Sequence, residues 1–250
     1  MSYEQFALFY DRLTIEVDYK ARTDYLLSLF KKYDRLPTLC LDMACGTGGF
    51  TRELKASGMD VIGVDPCSSM LSVAHEKLPF DTLLLCQKAD ELELYGTVDG
   101  AVCCLDSFNH ITDYDELVRS LQRISLFLEP NRLLIFDVNT VYKHRNILSG
   151  ETFVYDMDDV YCVWQNSVCD KNNMININLD FFEYSQENES YFRSEESFCE
   201  RAYDEQQLNA AVNEAGLETV AILGDLTFEL PKSDEQRVFY VTRKELRNES

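Results

Sequence analysis

The stretch from Thr38 to Pro66 constrains the fold of this chain more than any other part of its sequence. It has the pattern of a buried strand, a glycine-rich turn, a helix and a second buried strand, Val61 to Val64, that ends on Asp65. This pattern predicts a nucleotide-binding half of an open α/β sheet. Asp65 lies about 20 residues beyond the turn, where a carboxylate usually accepts hydrogen bonds from a ribose. In the alternative interpretation, Asp65 only caps the helix that follows.

The glycine-rich turn also indicates the charge of its ligand. A dinucleotide fingerprint, GxGxxG, seats a pyrophosphate on the helix N-terminus, but Thr51 stands where the third glycine is needed. Asp42 adds negative charge just before the turn, which disfavours a phosphate and suits a cationic ammonium or sulfonium. The sequence therefore favours a cationic ligand, and an NAD-type dinucleotide is the alternative.

The segment from Asp42 to Gly48 resembles the first motif of the class I S-adenosylmethionine-dependent methyltransferases, which has the form D-x-A/G-C-G-T-G. Ala44 stands where many members of that family have glycine. The resemblance implies a doubly wound, seven-stranded, mostly parallel Rossmann-like α/β sheet. It also implies that the cofactor is S-adenosyl-L-methionine and that the product is S-adenosyl-L-homocysteine.

The rest of the sequence extends this pattern and then changes it. Strands and helices alternate as far as Thr140, which predicts a parallel sheet with right-handed crossovers. Long β-rich runs then predict an antiparallel insertion that forms a lid. We expect a single methyltransferase domain over residues 1–250. Its expected parts are a helical cap (1–36), a cofactor-binding core (37–140), the lid (150–200) and the completion of the core sheet (201–250).

Composition limits the partners and the compartment. The chain has 250 residues and a formal net charge of -21, so its surface repels nucleic-acid phosphates and anionic membranes. No apolar run approaches the roughly 20 residues of a membrane span, and the N-terminus has no signal-peptide pattern. We therefore expect a cytoplasmic protein whose partner is a small-molecule acceptor, without nucleic acid or membrane. The sequence does not indicate an oligomeric state.

The nine cysteines indicate neither disulfides nor a metal centre. The sequence has no CxxC pair, and the three histidines, His75, His110 and His144, are scattered. Most of the cysteines lie within apolar runs, where reduced thiols behave as small hydrophobic side chains. We therefore predict that no metal is bound.

The resemblance also assigns cofactor-binding residues. Asp90, after the third strand, is expected to hold the adenine amine, Met70 to pack on its ring, and Leu105 and Asp106 to lie near the methionyl part. Alternatively, Met70 is an ordinary core residue and Asp90 with Glu91 is a solvated charge pair. The predicted cofactor-binding residues are Tyr19, Arg22, Asp42, Ala44, Cys45, Gly46, Gly48, Asp65, Pro66, Met70, Ala89, Asp90, Glu91, Leu105 and Asp106.

The N-terminal stretch is similar to small-molecule members of the family, specifically the sugar-amine N-methyltransferases. Phe9-Tyr10-Asp11 and Asp18–Arg22 resemble a YD…DY helix pair that closes over the methyl donor. Tyr19 is expected to touch the donor, and Arg22 to supply a charge partner, although many relatives have an aromatic residue there. A solvated amphipathic helix is the alternative. The predicted catalytic residues are Tyr10, Tyr19 and His110. In the alternative interpretation, His110 lies at the start of a helix and only packs against its neighbours or caps that helix.

The predicted function is transfer of a methyl group from S-adenosylmethionine to nitrogen or oxygen of a small molecule by in-line displacement. Alignment of the acceptor supplies on the order of 7 to 11 kcal/mol, and a general base is needed mainly for a hydroxyl. Eight aromatic residues of the lid favour a cationic or amine-bearing acceptor through cation–π contact, and in the alternative interpretation they are simply core residues. They are Tyr155, Tyr161, Trp164, Phe181, Phe182, Tyr184, Tyr191 and Phe192. A nucleotide-dependent oxidoreductase and a non-catalytic S-adenosylmethionine-binding protein are the alternatives.

Overall fold

A computed structural model describes residues 4–157, 160–169 and 172–246. Its helices are α1 (Glu4–Leu13), α2 (Tyr19–Tyr33), α3 (Gly49–Ala56), α4 (Ser68–Lys77), α5 (Tyr114–Phe127), the short α6 (Val141–Lys143) and α7 (Glu205–Glu214). Its strands are β1 (Leu39–Met43), β2 (Asp60–Asp65), β3 (Leu83–Cys86), β4 (Gly100–Cys103), β5 (Leu133–Asn139), β6 (Thr152–Asp156), β7 (Val160–Cys169), β8 (Met174–Ser185), β9 (Ser190–Arg201), β10 (Leu217–Gly224) and β11 (Arg237–Lys244). A π-helical turn, His144–Leu148, follows α6.

Seven strands form the main sheet in the order β10-β11-β5-β4-β1-β2-β3. The pairs from β5 to β3 are parallel, and β11 runs antiparallel to both of its neighbours. The predicted mostly parallel, Rossmann-like sheet is therefore confirmed. The strand order reverses beside β1 and β4, and ligands of open α/β sheets bind at the carboxyl ends of strands at such a point.

Hydrophobic layers cover both faces of this sheet. Phe136 and Tyr240 stack at 5.0 Å on the face that α5 and α7 cover. Leu26 and Phe30 of α2 fill the opposite face together with α3. Cys40, Cys103 and Cys104 are buried as small apolar side chains, as predicted, but Cys86 is exposed because β3 is the edge strand.

Local sequence explains where several helices begin. Asp18 accepts a hydrogen bond from the backbone N–H of Ala21 at the start of α2, and Asp113 does the same for Glu116 at the start of α5. Asp204 and Gln207 form a reciprocal capping box at α7. These side chains satisfy backbone donors that a helix N-terminus leaves without partners.

The predicted antiparallel insertion is a separate four-stranded sheet, β6-β7-β8-β9. Asp170 and Lys171 of the predicted turn between β7 and β8 lie outside the described residues. The sheet packs on α1, where the rings of Phe9 and Phe181 stack at 4.7 Å and those of Phe6 and Phe198 lie 5.9 Å apart. Helix α1 therefore lies between this sheet and the cofactor-binding half of the main sheet.

The fourth strand ends at Cys103, although the apolar run Gly100–Leu105 predicts a strand that is two residues longer. Leu105 and Asp106 both adopt left-handed backbone angles, with φ of +54° and +51°. Left-handed angles are incompatible with an extended strand and uncommon for residues other than glycine. The chain therefore leaves the sheet here and forms the turn Ser107–His110 at its carboxyl edge.

Candidate active site

A cavity of about 320 Å³ opens at the carboxyl ends of β1, β2 and β4, beneath α1. Its size is within the range of small-molecule sites, and its position is the one expected for an open α/β sheet. Nine of the predicted site residues line it. They are Tyr10, Ala44, Gly46, Asp65, Pro66, Met70, Ala89, Leu105 and His110.

The carboxylate of Asp65 is fixed by the backbone on both sides. Its Oδ2 accepts a hydrogen bond from the N–H of Gly46 at 2.9 Å, and its Oδ1 accepts one from Cys67 at 2.8 Å. Each oxygen keeps a further lone pair for another donor. Burial raises the pKa of Asp65, and the two backbone donors oppose this rise. Helix α4 starts at Ser68, beyond Asp65, and its N-cap position is Cys67.

The glycine-rich turn is held by side chains from the N-terminal helices. Thr47 donates a hydrogen bond to Asp11 of α1 at 2.6 Å. The ring of Tyr19 covers Gly49 so closely that an added Cβ atom would lie 2.4 Å from it. Ala44 has a φ of +57°, a conformation in which glycine is unstrained. This explains why a glycine suits the position that Ala44 occupies in the motif.

Asp42 lies beneath the turn rather than in the lining of the cavity. Its side chain is buried and accepts a hydrogen bond from the hydroxyl of Thr51 at 2.5 Å. Burial raises the pKa of Asp42 to about 7, although the hydrogen bonds from Thr51 oppose that rise. A positive charge bound at the turn therefore lowers the pKa of Asp42 and favours its carboxylate form.

Replacement of Asp42 by asparagine is expected to remove a pH-dependent cost to stability. The pKa of Asp42 is about 7 in the folded protein and about 4 when unfolded. Ionisation therefore favours the unfolded chain, and the cost grows between pH 4 and pH 7 to about 4 kcal/mol. Asp42→Asn should gain stability relative to wild type over that interval in urea unfolding. An equal difference in the free energy of unfolding between Asp42→Asn and wild type at pH 4.5 and pH 7.5 would contradict this prediction. The control is Asp60→Asn, because Asp60 is exposed.

Asp106 belongs to an ion-pair cluster that fixes the turn after β4. Asp137 accepts hydrogen bonds from the backbone N–H groups of Leu105 and Asp106 at 2.9 and 2.8 Å. The guanidinium of Arg237 donates to both Asp137 and Asp106. Burial acts to raise the pKa of Asp106, but Arg237, Lys143 and His110 together lower it to about 2. The charges of the cluster therefore stabilise the left-handed turn.

Sequence reasoning missed Asp137 and Arg237. Asp137 is the acidic residue in β5, whose seven residues are all buried, and it is fully buried itself. A buried carboxylate needs a charged or hydrogen-bonding partner, and this was the available signal. The partner, Arg237, is 100 residues away in the sequence, so spacing gives no way to find it.

The end of the cavity nearest α1 combines aromatic rings with one imidazole. Phe6 and Tyr10 of α1 line it together with Ser107 and His110 of the turn. The pKa of Tyr10 is raised well above its usual value by burial first and then by the neighbouring Tyr19. The ring of His110 lies 5.3 Å from that of Phe198 on β9. Residues from three separate parts of the chain therefore enclose this end.

Other predicted site residues lie outside the lining that the described residues form. Arg22 pairs with Asp225 through two contacts of 3.0 and 3.3 Å, so its predicted role as a charge partner of the donor stays a prediction. Asp90 has a buried Oδ1 for which the described part of the chain offers no hydrogen-bond donor. The remaining residues of this group are Tyr19, Asp42, Cys45, Gly48, Glu91 and Asp106.

The aromatic residues of the predicted lid do not line this cavity, within the described residues. Phe181 is buried in the core that β8 shares with α1. Tyr161, Phe182, Tyr184 and Tyr191 line a separate open hollow on the four-stranded sheet. That the lid aromatics contact the acceptor therefore stays a prediction, and α1 lies between them and this cavity.

Asp106, His110 and Glu200 place potential metal-ligand atoms within 4.8 Å of one another. The carboxylate of Asp106, however, already pairs with the guanidinium of Arg237. A guanidinium at this position repels a metal cation. That no metal is bound stays a prediction.

Comparison with known proteins identifies the chemistry of this site. Residues 40–131 match a family described as a methyltransferase domain. A putative methyltransferase of Geobacillus sp. (strain WCH70) is 29% identical over 248 residues, which cover 98% of this chain and 100% of that protein. The structure is also similar to a crystal structure of an S-adenosylmethionine-dependent methyltransferase from Clostridium acetobutylicum ATCC 824, with a TM-score of 0.86 and 29% sequence identity. The match covers 98% of this chain and 99% of that one. The chain is an S-adenosylmethionine-dependent methyltransferase.

The methyltransferase also shares its fold with the sugar N-methyltransferase KedS8 from Streptoalloteichus sp. ATCC 53650. The TM-score is 0.78 at 19% identity, and the match covers 96% of this chain and 93% of that one. The resemblance to the small-molecule branch is thereby confirmed at the level of the fold. None of the helices in the described residues is both long and apolar enough to cross a membrane.

The cavity fits the cofactor, S-adenosylmethionine. Asp65 presents two oxygens with unused lone pairs, which suit the two hydroxyls of a ribose. The buried Oδ1 of Asp90 needs a hydrogen-bond donor, and the adenine amine is one. The region around the turn is negatively charged through Asp42 and Asp65, which suits a sulfonium and an ammonium.

Proposed function

We propose that this methyltransferase transfers the methyl group of S-adenosylmethionine to the nitrogen of a small-molecule amine. The observation that carries the proposal is the charge around His110 at the acceptor end of the cavity. The buried carboxyl group of Asp65 lines the same cavity as His110. The carboxylate of Glu200 lies 3.7 Å from its imidazole. This surrounding charge favours an acceptor that is cationic or becomes cationic during the reaction.

When bound, S-adenosylmethionine supplies an electrophilic methyl group. In this proposal the protein orients the two substrates with Asp65 at the ribose and Asp90 at the adenine amine. Phe6 and Tyr10 close the acceptor end and exclude water, since both belong to α1 and line the cavity. Alignment of this kind contributes on the order of 7 to 11 kcal/mol.

His110 takes up the proton that the acceptor nitrogen loses. It is the only histidine among the described residues that line the cavity. A positioned general base contributes about 10²–10⁴-fold to the rate. The similarity of the fold to a sugar N-methyltransferase supports nitrogen as the acceptor atom.

The proposal is tested with S-adenosylmethionine that carries a deuterated methyl group. The acceptors are glycine beside glycolate and a nucleotide-linked amino sugar beside its hydroxy analogue, with products identified by mass spectrometry. We expect the label on amines and not on their hydroxy partners. His110→Gln should lower kcat by about 10²–10⁴-fold, whereas His75→Gln, on α4 and outside the cavity lining, should not.

Two outcomes would contradict the proposal. Transfer to the hydroxy analogues alone would assign the enzyme to oxygen rather than nitrogen. Binding of S-adenosylmethionine without transfer to any acceptor would support the alternative of a non-catalytic binding protein.

A further inference from the structure

Glu200, near the end of β9, lies between two imidazoles. Its Oε1 is 3.7 Å from Nε2 of His110, and its Oε2 is 3.5 Å from Nε2 of His144. The carboxylate is buried, with a side-chain exposure of 5%, and it does not line the cavity, while His110 does. Glu200 therefore contacts a residue of the cavity lining, His110, without lining the cavity itself.

His144, which lies on one side of Glu200, is held by a contact with the backbone. Nδ1 of His144 is 3.1 Å from the carbonyl oxygen of Asn173, which can only accept, so Nδ1 carries a proton. Within the described part of the chain, neither Nε2 of His144 nor Oε2 of Glu200 has a hydrogen-bond partner. These two atoms are 3.5 Å apart, so each is a potential hydrogen-bond partner for the other.

His110, which lies on the other side of Glu200, is held by hydrogen bonds between the end of β9 and the turn that carries it. The amide of Asn109 donates to the carbonyl of Arg201 at 3.0 Å. The guanidinium of Arg201 donates to the carbonyl of Thr112 at 3.0 Å, and the hydroxyl of Tyr203 donates to that of Ile111 at 2.6 Å. These contacts lie on both sides of His110. They hold its ring opposite Glu200 even though the two residues are 90 positions apart.

Glu200 differs in its partners from Asp106 and Asp65, the two other carboxylates near His110. Asp106 is neutralised by the guanidinium of Arg237 and further influenced by Lys143. Asp65 is held by two backbone donors at the ribose end. Within the described part of the chain, Glu200 pairs with His110 and His144, and its carboxylate also acts electrostatically on Lys143. Its carboxylate lies within ion-pair distance of His110, where it can stabilise a protonated imidazole.

We propose that Glu200 is a positioning residue that orients His110 for proton uptake, with His144 as the anchor of its second oxygen. The proposal rests on the proposed function. The lone pair of the acceptor nitrogen forms the new bond to carbon while the sulfur–carbon bond breaks and leaves its electrons on sulfur. As that bond forms, an N–H bond of the acceptor nitrogen breaks, its electrons stay on nitrogen, and the proton moves to the imidazole of His110. The imidazolium that forms is stabilised by Glu200.

The first test uses the three histidines of the chain and needs no acceptor. Long-range ¹H–¹⁵N spectra of the full chain are recorded for wild type, Glu200→Gln and the control Glu195→Gln. Glu195 lies on the same strand, with 61% of its side chain exposed. We expect the ring signals of both His110 and His144 to move in Glu200→Gln, while His75 stays unchanged as an internal reference. Ring signals of His110 and His144 that remain at the wild-type positions would overturn the proposal.

The second test asks whether Glu200 acts through His110. Glu200→Gln is expected to lower kcat for the amine by about 10–100-fold, with the affinity for S-adenosylhomocysteine unchanged. In the His110→Gln background, the same substitution should have no further effect on kcat. A further loss of equal size in that background would overturn the proposal, because it would show an independent or structural role.

Thermal unfolding of each variant identifies a loss of structure, and Glu200→Asp, which keeps the charge, replaces Glu200→Gln if the latter does not fold. With Glu200→Asp, movement of both ring signals supports the pairing and unchanged signals overturn it. If no amine is methylated, the proposed function fails, while the spectra still decide whether Glu200 couples the two imidazoles. The two failures are therefore distinguishable.

Discussion

Asp65→Ala is expected to weaken the binding of S-adenosylhomocysteine by at least about 100-fold, because two charge-assisted hydrogen bonds to the ribose are lost at about 1.5–3 kcal/mol each. The same substitution leaves the N–H groups of Gly46 and Cys67 without their acceptor, which loosens the turn. Isothermal titration calorimetry measures the change directly.

Two variants separate the ribose contact from the support of the turn. Asp65→Asn keeps a carbonyl acceptor for one backbone donor and should bind with intermediate affinity. Asp60→Ala, at the exposed start of the same strand, should bind as wild type does. Wild-type affinity in Asp65→Ala would show that the ribose is held elsewhere.

Arg237→Gln is expected to destabilise the protein by about 3–5 kcal/mol, because it leaves the carboxylates of Asp106 and Asp137 buried without their countercharge. The loss is measured as the free energy of unfolding in urea at neutral pH. The control is Arg193→Gln, an arginine whose side chain is 54% exposed. Exposed pairs of this kind contribute about 0–1 kcal/mol.

The effect of Arg237→Gln should also depend on pH in a defined direction. The pKa of Asp106 is about 2 in the folded protein and about 4 when unfolded, so its ionisation favours folding. This stabilisation is complete above about pH 4 and is lost as the pH falls to about 2. The difference between wild type and Arg237→Gln should therefore shrink in acid. A difference that stays constant from pH 7 to pH 2 would contradict the assigned ion pair.

The main sheet and the position of Asp65 beside the glycine-rich turn were predictable because their signals are local in the sequence. Buried runs such as β5 are almost wholly apolar, and the glycines mark the turn after β1. The contact between Gly46 and Asp65 spans 19 residues, which one strand–helix–strand unit fixes. The rule of right-handed connection then predicts the hand of each crossover between parallel strands, but it does not determine the strand order.

The charged clusters were not predictable because their members meet only after folding. Arg237 and Asp106 are 131 residues apart, and no sequence spacing relates them. Glu200 did leave a partial signal. It follows the buried Phe198 by two positions on β9, and alternation in a strand places both side chains on the same face. An acidic residue on a buried face indicates a partner, although it does not identify which one.

The position of the four-stranded sheet explains why its described aromatic residues do not line the cavity. Their β-rich pattern predicted the strands correctly, but strand residues of this kind are used for packing as often as for binding. Here Phe181 packs on Phe9 of α1, and α1 presents Phe6 and Tyr10 to the cavity instead. The N-terminal helix therefore forms the wall that the sequence assigned to the lid.

A crystal structure of the complex with S-adenosylhomocysteine tests the central claim most directly, which is that donor and acceptor meet in the cavity between Asp65 and His110. We expect the ribose hydroxyls on Asp65, the adenine amine on Oδ1 of Asp90, and the sulfur directed toward Tyr10 and His110. Binding in another part of the molecule, or in this cavity with the sulfur directed away from His110, would contradict the account.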